Sequence, residues 1–361
     1  MTTLTSPRAL SLTQQPVTRP QVTDLRTLLA EAGEDGLLRN HRRLLAVSHH
    51  TTAGFPDRVL RRRLGDDRAR LDTYLEALAG LFPPEAGYHH DRLQLRDELS
   101  SEQKETEPLN ADAHLSFIGG GFTNCAEFAA GPGGPLEERP LWFVDFDGVY
   151  RDRDNTEIRR TRRTTFVGYN GEERVASAEL EVPVPRGRVA LDLASDLVST
   201  DPSGGPTIPA GALLQPILEA ISTHGVTHGR IQLHLHPEER GAGLTVNEFE
   251  ALLMTRDLVE LFESPLRWAA ARQAGNALLS ALRALRISRE RRERLRDRVL
   301  ARPTPRILRL RRDLRLPLLP DGPPGAPARP VQGRYQSPIL VQWDPAPAGV
   351  RRVRATLWRF R

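Results

Sequence analysis

The sequence is poor in cysteine, in lysine and in long apolar runs, and these shortages exclude several classes of protein. A single cysteine, Cys125, leaves no intrachain disulfide and no cysteine-rich zinc site. No stretch approaches the roughly 20 apolar residues that a membrane-spanning helix needs. The first 20 residues lack the apolar segment of a secretory signal. We therefore expect a protein of the reducing cytoplasm that has no membrane partner.

Lysine occurs once, at Lys104, and the other 50 basic residues are arginine. Residues 283–315 hold 14 arginines against four acidic residues, a net charge of +10, so the rest of the chain carries −5. This segment has no aromatic residue on which a base could stack, and its acidic residues lie within helical reach of arginines. The pattern favours a solvated helix face. A role in RNA binding would depend on this segment alone, and we do not expect a nucleic-acid partner.

The chain of 361 residues is long enough for two domains, and its sequence pattern repeats. The run from Gly36 to Gly54 and the run from Gly225 to Gly243 have the same length, at an offset of 189 residues. Residues 146–148 and 335–337 match at the same offset. In both copies an arginine-rich turn and a closing strand follow. We interpret this order as a tandem duplication with a boundary near residue 172.

Hydrophobic periodicity and turn residues predict the elements within each copy. Helices are predicted at 23–32, 66–81 and 212–222, with a further helix beginning at Asn247. Residues 101–107 are predicted to be a solvated loop, and Asn170-Gly171 a hairpin turn. Strands are predicted at residues 44–47, 141–144, 164–169, 175–184, 189–193 and 230–236.

Four motifs carry a resemblance to a known family. They are HTTAG at His50–Gly54, Tyr88-His89-His90, NADAHL at Asn110–Leu115, and the late segment Asp147–Tyr150. Their order resembles that of the YjbQ family, often described as secondary thiamine-phosphate synthases. The second copy carries Asn247-Glu248 in the register of that family's Asn-Glu pair. The resemblance covers nearly the whole chain.

The resemblance implies an α+β fold of two tandem domains, each a mainly antiparallel sheet packed with a few helices. The first domain is residues 1–172. The second is residues 173–361, a degenerate copy with an arginine-rich helical insertion at about 264–315. Single-domain members of the family form trimers, so a trimer-like homo-oligomer is expected. The implied reaction joins a pyrimidine pyrophosphate to a thiazole phosphate and releases pyrophosphate.

Each copy departs from the family pattern in a different place. The first has Arg58-Val59 where the family has Asn-Glu. The second lacks HTTAG, Tyr-x-His and NADAHL, and a gapless alignment places Glu239 opposite His50. These losses support an alternative to the transferase: a catalytically decayed member that binds a ligand or oligomerises without being an enzyme.

The candidate chemistry centres on three histidines and a carboxylate. His50, His90 and His114 could bind a divalent metal ion, zinc or magnesium, and a neutral imidazole could act as general base near neutral pH. Asp112 is the accompanying carboxylate. The resemblance places all four residues at the family's polar positions. The alternative is that His89 and His90 are loop residues and that His114 is a hydrogen-bonded, half-buried histidine.

Other polar residues could hold a small phosphorylated ligand. Thr51 and Thr52 offer hydroxyl groups, and the backbone of Gly119–Gly121 with Thr123 offers N–H donors, although a strand end and a plain turn explain both segments more simply. Asn247 is either part of the family's pair or the start of a capping box with the glutamate three residues later.

The complementary losses suggest a composite site. The first copy retains the histidines and the second retains Asn247-Glu248. Independent decay would produce this pattern. The alternative is that Glu248 reaches the His50 pocket across a domain or subunit interface and acts on a histidine there.

Overall fold

The computed structural model describes residues 6–96, 99–130, 136, 140–151, 156–193, 210–247, 252–264, 267–268, 310–320, 325–333 and 336–361. The fold is α+β, with antiparallel sheets in two consecutive halves of the chain and helices packed against them. Glu248 and residues 269–309, which include most of the arginine-rich segment, lie outside the described residues. Within the described residues, no helix is long and apolar enough to cross a membrane.

The N-terminal half contains two four-stranded sheets and a hairpin. The main sheet has the order β1-β10-β3-β6, the second sheet has the order β2-β7-β4-β5, and β8 pairs with β9. Its strands are β1 (Arg8–Gln14), β2 (Gln21–Asp24), β3 (Arg43–Ser48), β4 (Ala53–Pro56), β5 (Phe122–Thr123), β6 (Cys125–Ala129), β7 (Trp142–Asp145), β8 (Val149–Arg151), β9 (Glu157–Arg159) and β10 (Arg162–Tyr169). Its helices are α1 (Leu25–Glu31), α2 (Gly36–Asn40), α3 (Arg58–Leu64), α4 (Arg68–Leu81), α5 (Ser101–Thr106) and α6 (Ala111–Gly119), with a short 3-10 turn at Leu93–Leu95.

The C-terminal half contains a five-stranded main sheet, β11-β18-β13-β15-β16, and a three-stranded second sheet, β12-β17-β14. Its strands are β11 (Glu172–Pro183), β12 (Val189–Asp192), β13 (Gly229–Leu235), β14 (Ala242–Asn247), β15 (Asp313–Pro320), β16 (Ala328–Pro330), β17 (Ser337–Gln342) and β18 (Val350–Phe360). Its described helices are α7 (Ala210–Thr223) and α8 (Leu252–Glu263).

The two halves repeat one strand topology. In chain order, β1, β3, β6 and β10 occupy the same sheet positions as β11, β13, β15 and β18, and β2, β4 and β7 match β12, β14 and β17. Ala53 pairs with Asp145 in the first half, and Ala242 pairs with Gln342 in the second. Asp145 and Gln342 are therefore equivalent, at an offset of 197 residues (342 − 145). The predicted offset of 189 is wrong at this strand because the second half has a longer connection before it.

The turn at Asn170-Gly171 is not a hairpin. Strand β10 pairs with β1 and β3, whereas β11 pairs with β18, so the chain passes from one sheet to the other at this point. The backbone N–H groups of Asn170 and Gly171 both donate to the carbonyl of Arg361 at 2.7 Å. The sequence predicts a turn here correctly, but the strand that follows the turn pairs with β18 of the second half and not with the strand before the turn.

Three predicted boundaries also differ from the structure. The loop predicted at 101–107 contains α5, which a capping box between Ser100 and Gln103 stabilises although it has no buried face. Asn247, where a helix was predicted to begin, is the last residue of strand β14, and residues 248–251 lie outside the described residues. The arginine-rich insertion was predicted to reach residue 315, but β15 begins at Asp313 because its apolar residues pair with β13.

A hydrophobic core shared by the halves lies between α4, α6 and α8. Helices α4 and α6 belong to the first half and α8 to the second. Trp268, which follows α8, packs on Phe82 with ring centroids 5.4 Å apart and on Tyr88 at 6.0 Å. Each half also has a core of its own between its sheets. The shared core positions the N-terminal half of the candidate site against the C-terminal half.

Candidate functional site

Helix α6 carries the predicted NADAHL motif into the shared core. Every residue of the helix is buried, including the polar residues Asp112, His114 and Ser116. Asn110 precedes the helix, and its side-chain amide donates to Asp147 Oδ2 at 2.6 Å. Burying polar groups costs free energy unless they are hydrogen-bonded, so the contacts of these residues decide what they can do.

His114 joins the two halves of the chain through Asn247. The Nδ1 atom of His114 lies 2.8 Å from Asn247 Oδ1, and the Asn247 amide donates to the carbonyl of Thr51 at 2.8 Å. An amide oxygen only accepts, so His114 carries its proton on Nδ1 and has Nε2 as its basic atom. Burial, followed by the nearby His90, holds the pKa of His114 well below its usual range. The imidazole is therefore neutral.

His90 lies beside His114, with ring centroids 4.9 Å apart. Its Nδ1 atom is 3.1 Å from Asp91 Oδ1, and that oxygen also accepts the N–H of Ala111 at the start of α6. The backbone N–H of His90 donates to Asp257 on α8 at 3.1 Å. These contacts fix the ring from both halves of the chain. They leave Nε2 of His90 buried, with no hydrogen-bond partner among the described residues.

Two carboxylates complete the network. Arg19 donates to both oxygens of Asp112 at 2.8 and 2.9 Å and lies 3.9 Å from Asp147, while Arg160 lies 3.3 Å from Asp147. Burial raises the pKa of Asp112 to about 6, and the Arg19 guanidinium opposes this rise. A carboxyl group with such a pKa can exchange protons near neutral pH.

Several buried polar atoms of this network make no hydrogen bond to the described residues. Besides His90 Nε2, they are Asp91 Oδ2, Asn110 Oδ1 and Asp147 Oδ1. Such atoms are rare in native interiors and are commonly explained by a bound water, ion or ligand. We call the network the polar junction, and it comprises His90, Asp91, Asn110, Asp112, His114, Asp147 and Asn247.

His50 uses its imidazole elsewhere. Its Nε2 atom accepts the backbone N–H of Arg163 on β10 at 2.7 Å. Burial, followed by the Arg162 guanidinium, lowers the pKa of His50 to about 3. The first three residues of HTTAG, His50–Thr52, are called the HTT segment. This segment contacts the polar junction through the carbonyl of Thr51, and Thr52 Oγ1 accepts a hydrogen bond from Arg162 at 3.4 Å. The hydroxyl of Thr52 is thus used within the fold.

The structure does not assemble His50, His90 and His114 as one metal-ligand set. The one group of three histidine or acidic ligand atoms that come within 4.8 Å of one another in the described parts of the chain is His89, Asp257 and Glu260. The predicted set is not formed because the His50 ring is fixed on strand β10 by its hydrogen bond. His89 is the residue that contacts Asp257, at 3.1 Å.

Asn247 takes the position that the composite-site hypothesis gave to Glu248. Its side chain contacts His114 and Thr51, and the glutamate of the capping-box interpretation, Glu250, lies outside the described residues. Glu248 itself lies outside the described residues. Sequence reasoning missed Arg19, Asp91 and Asp257, which carry no motif. Asp147 was named only as the start of the motif Asp147–Tyr150, although an acidic residue inside an apolar segment was a usable signal.

The glycine turn before β5 is a packing feature. A Cβ atom on Gly120 would lie 2.3 Å from the carbonyl oxygen of Ser116, and the Tyr74 hydroxyl donates to the Gly120 carbonyl at 2.8 Å. Gly121 has a φ of +74°, which glycine adopts without strain. The plain-turn interpretation accounts for these residues without a phosphate.

No family profile matches the chain, and no curated protein matches it. Among solved structures, a YbjQ-like protein of unknown function from Sulfolobus solfataricus is 13% identical with a TM-score of 0.28, covering 52% of this chain and 99% of its own. An uncharacterized YjbQ-family protein from Clostridium acetobutylicum is 16% identical with a TM-score of 0.25, covering 44% and 97%. A conserved hypothetical protein from Thermus thermophilus is 17% identical with a TM-score of 0.24, covering 51% and 99%. Each of these likenesses covers about half of this chain and nearly all of the other chain.

Proposed function

We propose that the polar junction is the site of an acid–base enzyme that acts on a small phosphorylated substrate. The reaction would be the thiamine-phosphate-synthase-like transfer that the motifs imply. The observation that carries the proposal is the pair of imidazoles at 4.9 Å, surrounded by buried polar atoms that have no partner among the described residues. A substrate with donor groups would satisfy those atoms.

The protonation states suit proton transfer near neutral pH. Neutral His114 offers Nε2 as a base while Asn247 fixes its tautomer through Nδ1. Asp112, with a pKa of about 6, can hold or release a proton in the same range. Release of pyrophosphate builds negative charge on the leaving group. Arg19 and Arg160, each roughly a third exposed or less, are the positive groups placed to offset it.

The proposal includes a divalent metal ion, zinc or magnesium, but not at the predicted ligands His50, His90 and His114. The candidate ligands are His89, Asp257 and Glu260, one imidazole and two carboxylates. Asp257 also accepts the N–H of His90, so an ion there would adjoin the polar junction. Glu260→Gln tests this without unfolding the protein, since Glu260 is exposed. Metal analysis of the purified protein should show stoichiometric loss of the ion in this variant.

One observation favours the non-enzymatic alternative. The junction side chains are almost fully buried, and Asp112 is already paired with Arg19. In this second candidate the network holds the two halves together in a ligand-binding or oligomerising protein. We expect a trimer-like homo-oligomer for both the enzymatic and the non-enzymatic candidate. Light scattering on the full chain measures its mass.

The deciding experiment measures pyrophosphate release by the full-length protein given a pyrimidine pyrophosphate and a thiazole phosphate. His114→Gln and Asp112→Asn should each lower turnover by about 100-fold or more, the usual contribution of general acid–base catalysis. His234→Gln changes a histidine on β13 outside the junction and should leave turnover unchanged. Absence of turnover in the native protein, or folded variants that retain it, would leave the non-enzymatic candidate.

A further inference from the structure

A cleft lies between the two halves of the chain, apart from the polar junction. Its walls come from β5 and β6 of the first half and from β14, β15 and the segment before β17 of the second. It encloses about 430 Å³ of non-protein space, part of it open to solvent. Polar groups on its walls include Thr123, Asn124, Arg311, Arg315, Gln332 and Gln336. We call it the arginine cleft.

The charged side chains that line the arginine cleft are both basic. Two arginines line it, and among the described lining residues none is acidic. Arg311 is half-buried, and desolvation lowers the pKa of its guanidinium although Asp57 and Asp313 favour its charged form. The hydrogen bond of Arg311 goes to a neutral group, the carbonyl of Phe122. A half-buried guanidinium that donates to a carbonyl retains its charge and can attract an anion from the cleft.

Arg315 supplies a further donor. Its ion pairs with Glu127 and Asp313 are long, at 3.8 Å each. Its Nε atom is buried without an acceptor among the described residues. A guanidinium presents its N–H groups as a planar fork that matches two oxygens of a phosphate. Both arginines line the same cleft, so an oxyanion bound there would have two guanidinium groups on its walls.

Two of the three side-chain amides on the cleft walls, those of Asn124 and Gln336, already donate within the fold. Asn124 donates to the carbonyl of His50 at 2.6 Å, and Gln336 donates to the carbonyls of Ser48 and His50 at 2.9 and 2.8 Å. These bonds hold the HTT segment from the cleft side. Gln332 is half-buried at the cleft wall and can be changed without touching those bonds.

We infer that the arginine cleft binds a phosphate group, either as free inorganic phosphate or as the phosphate of a small monoester. Arg311 and Arg315 are its ligands. The site does not depend on acid–base chemistry at the polar junction, so it stands or falls separately from the proposed function.

Calorimetric titration of the full-length protein with inorganic phosphate, and then with glycerol phosphate, tests the inference. Arg315→Gln should weaken phosphate binding by about 10-fold or more, the effect of losing one charge-assisted contact. Tighter binding of the ester would identify a monoester site, and equal binding a site for the phosphate group alone. Either result supports the inference.

A charge swap at Gln332 keeps the test decisive if Arg315→Gln does not fold. Gln332→Glu should weaken phosphate binding and Gln332→Lys should strengthen it, and both effects should shrink with added salt. His114→Gln, which tests the proposed enzyme, should leave phosphate affinity unchanged. No binding at millimolar phosphate, or an affinity insensitive to the charge at position 332, would overturn the inference.

Discussion

The two halves of the chain place a buried arginine at the same point of the same sheet and neutralise it differently. In the first half, Arg162 donates through Nε and Nη2 to both oxygens of Asp145, at 2.6 and 2.8 Å. In the second half the equivalent strand residue is Gln342, which accepts from Arg351 Nε at 2.9 Å. The counter-charge comes instead from Glu239 at 3.1 Å. The duplicated fold has kept the arginine and moved its carboxylate from a strand to a loop.

His50 and Glu239, which lie in the equivalent loops of the two halves, explain how the carboxylate can come from different places. His50 accepts the backbone N–H of Arg163, and Glu239 accepts the N–H of Arg352 at 3.0 Å. These N–H groups follow the two buried arginines, so the predicted placement of Glu239 opposite His50 is confirmed. A neutral imidazole in one half and a carboxylate in the other fill one structural role. Only the carboxylate also neutralises the arginine.

Replacing the two buried arginines, Arg162 and Arg351, should give the largest difference between the halves in the loss of unfolding free energy. Arg162→Met leaves Asp145 buried without its counter-charge and should lower the free energy of unfolding by about 3–5 kcal/mol. Arg351→Met should cost less, about 1–3 kcal/mol, because Gln342 is neutral and Glu239 keeps Arg352 nearby at 3.6 Å. Urea denaturation measures both. Equal losses would show that the two arrangements are energetically equivalent.

The next-largest difference in stability is expected at the contact between Asn247 and His114. Asn247→Ala leaves the His114 Nδ1–H and the Thr51 carbonyl without their partner and should cost about 1–3 kcal/mol. At an offset of 189, the matching residue of the first half is Arg58, which is exposed at the start of α3. Arg58→Ala should therefore change stability by less than about 0.5 kcal/mol. A comparable loss at both positions would contradict the role assigned to Asn247.

Acid should destabilise the protein through the loop of the first half. The pKa of His50 is lowered to about 3, chiefly by burial, against an unfolded value near 6.5. Between these values the unfolded chain binds the proton and the folded chain does not, so stability falls as the pH drops below 6.5. The loss from this group is at most about 1.4 kcal/mol per pH unit.

The difference between wild type and His50→Gln isolates this effect. Urea denaturation at pH 7, 6 and 5 should give a shallower loss of stability for His50→Gln. Glu239→Gln changes the equivalent loop position in the second half and should retain the steep loss between pH 6.5 and 5. Parallel pH profiles for wild type and His50→Gln would mean that the imidazole titrates normally in the folded state.

Polar pairs that include an exposed residue on the same strands should have the smallest effect on stability. In the first half Ser11 and Thr165 share a hydrogen bond of 2.6 Å, and in the second Glu179 and Arg354 form an ion pair of 2.5 Å at the matching position. Ser11→Ala and Glu179→Gln should each change the free energy of unfolding by less than about 1 kcal/mol. Only the Glu179 effect should diminish at high salt. A salt-dependent effect at Ser11 would show that the pairs are not comparable.

The sequence by itself determined the local elements and the repetition. Helix α4 follows from its apolar spacing and from Pro83-Pro84, and strands β3, β10, β11 and β13 lie within two or three residues of their predicted bounds. The duplicated order of elements follows from the same signals, whereas the α+β class was implied by the resemblance to the YjbQ family. These features depend on residues that are near in the chain, so periodicity and turn chemistry suffice to find them.

Only the tertiary structure decided which polar groups meet. Nothing near Asn247 in the sequence identifies His114 as its partner, 133 residues earlier, or shows that His50 would turn to a strand backbone. The same holds for the turn at Asn170-Gly171, whose following strand pairs with the end of the chain. A buried polar atom must find a partner wherever packing places one, and that choice depends on long-range contacts that local patterns do not encode.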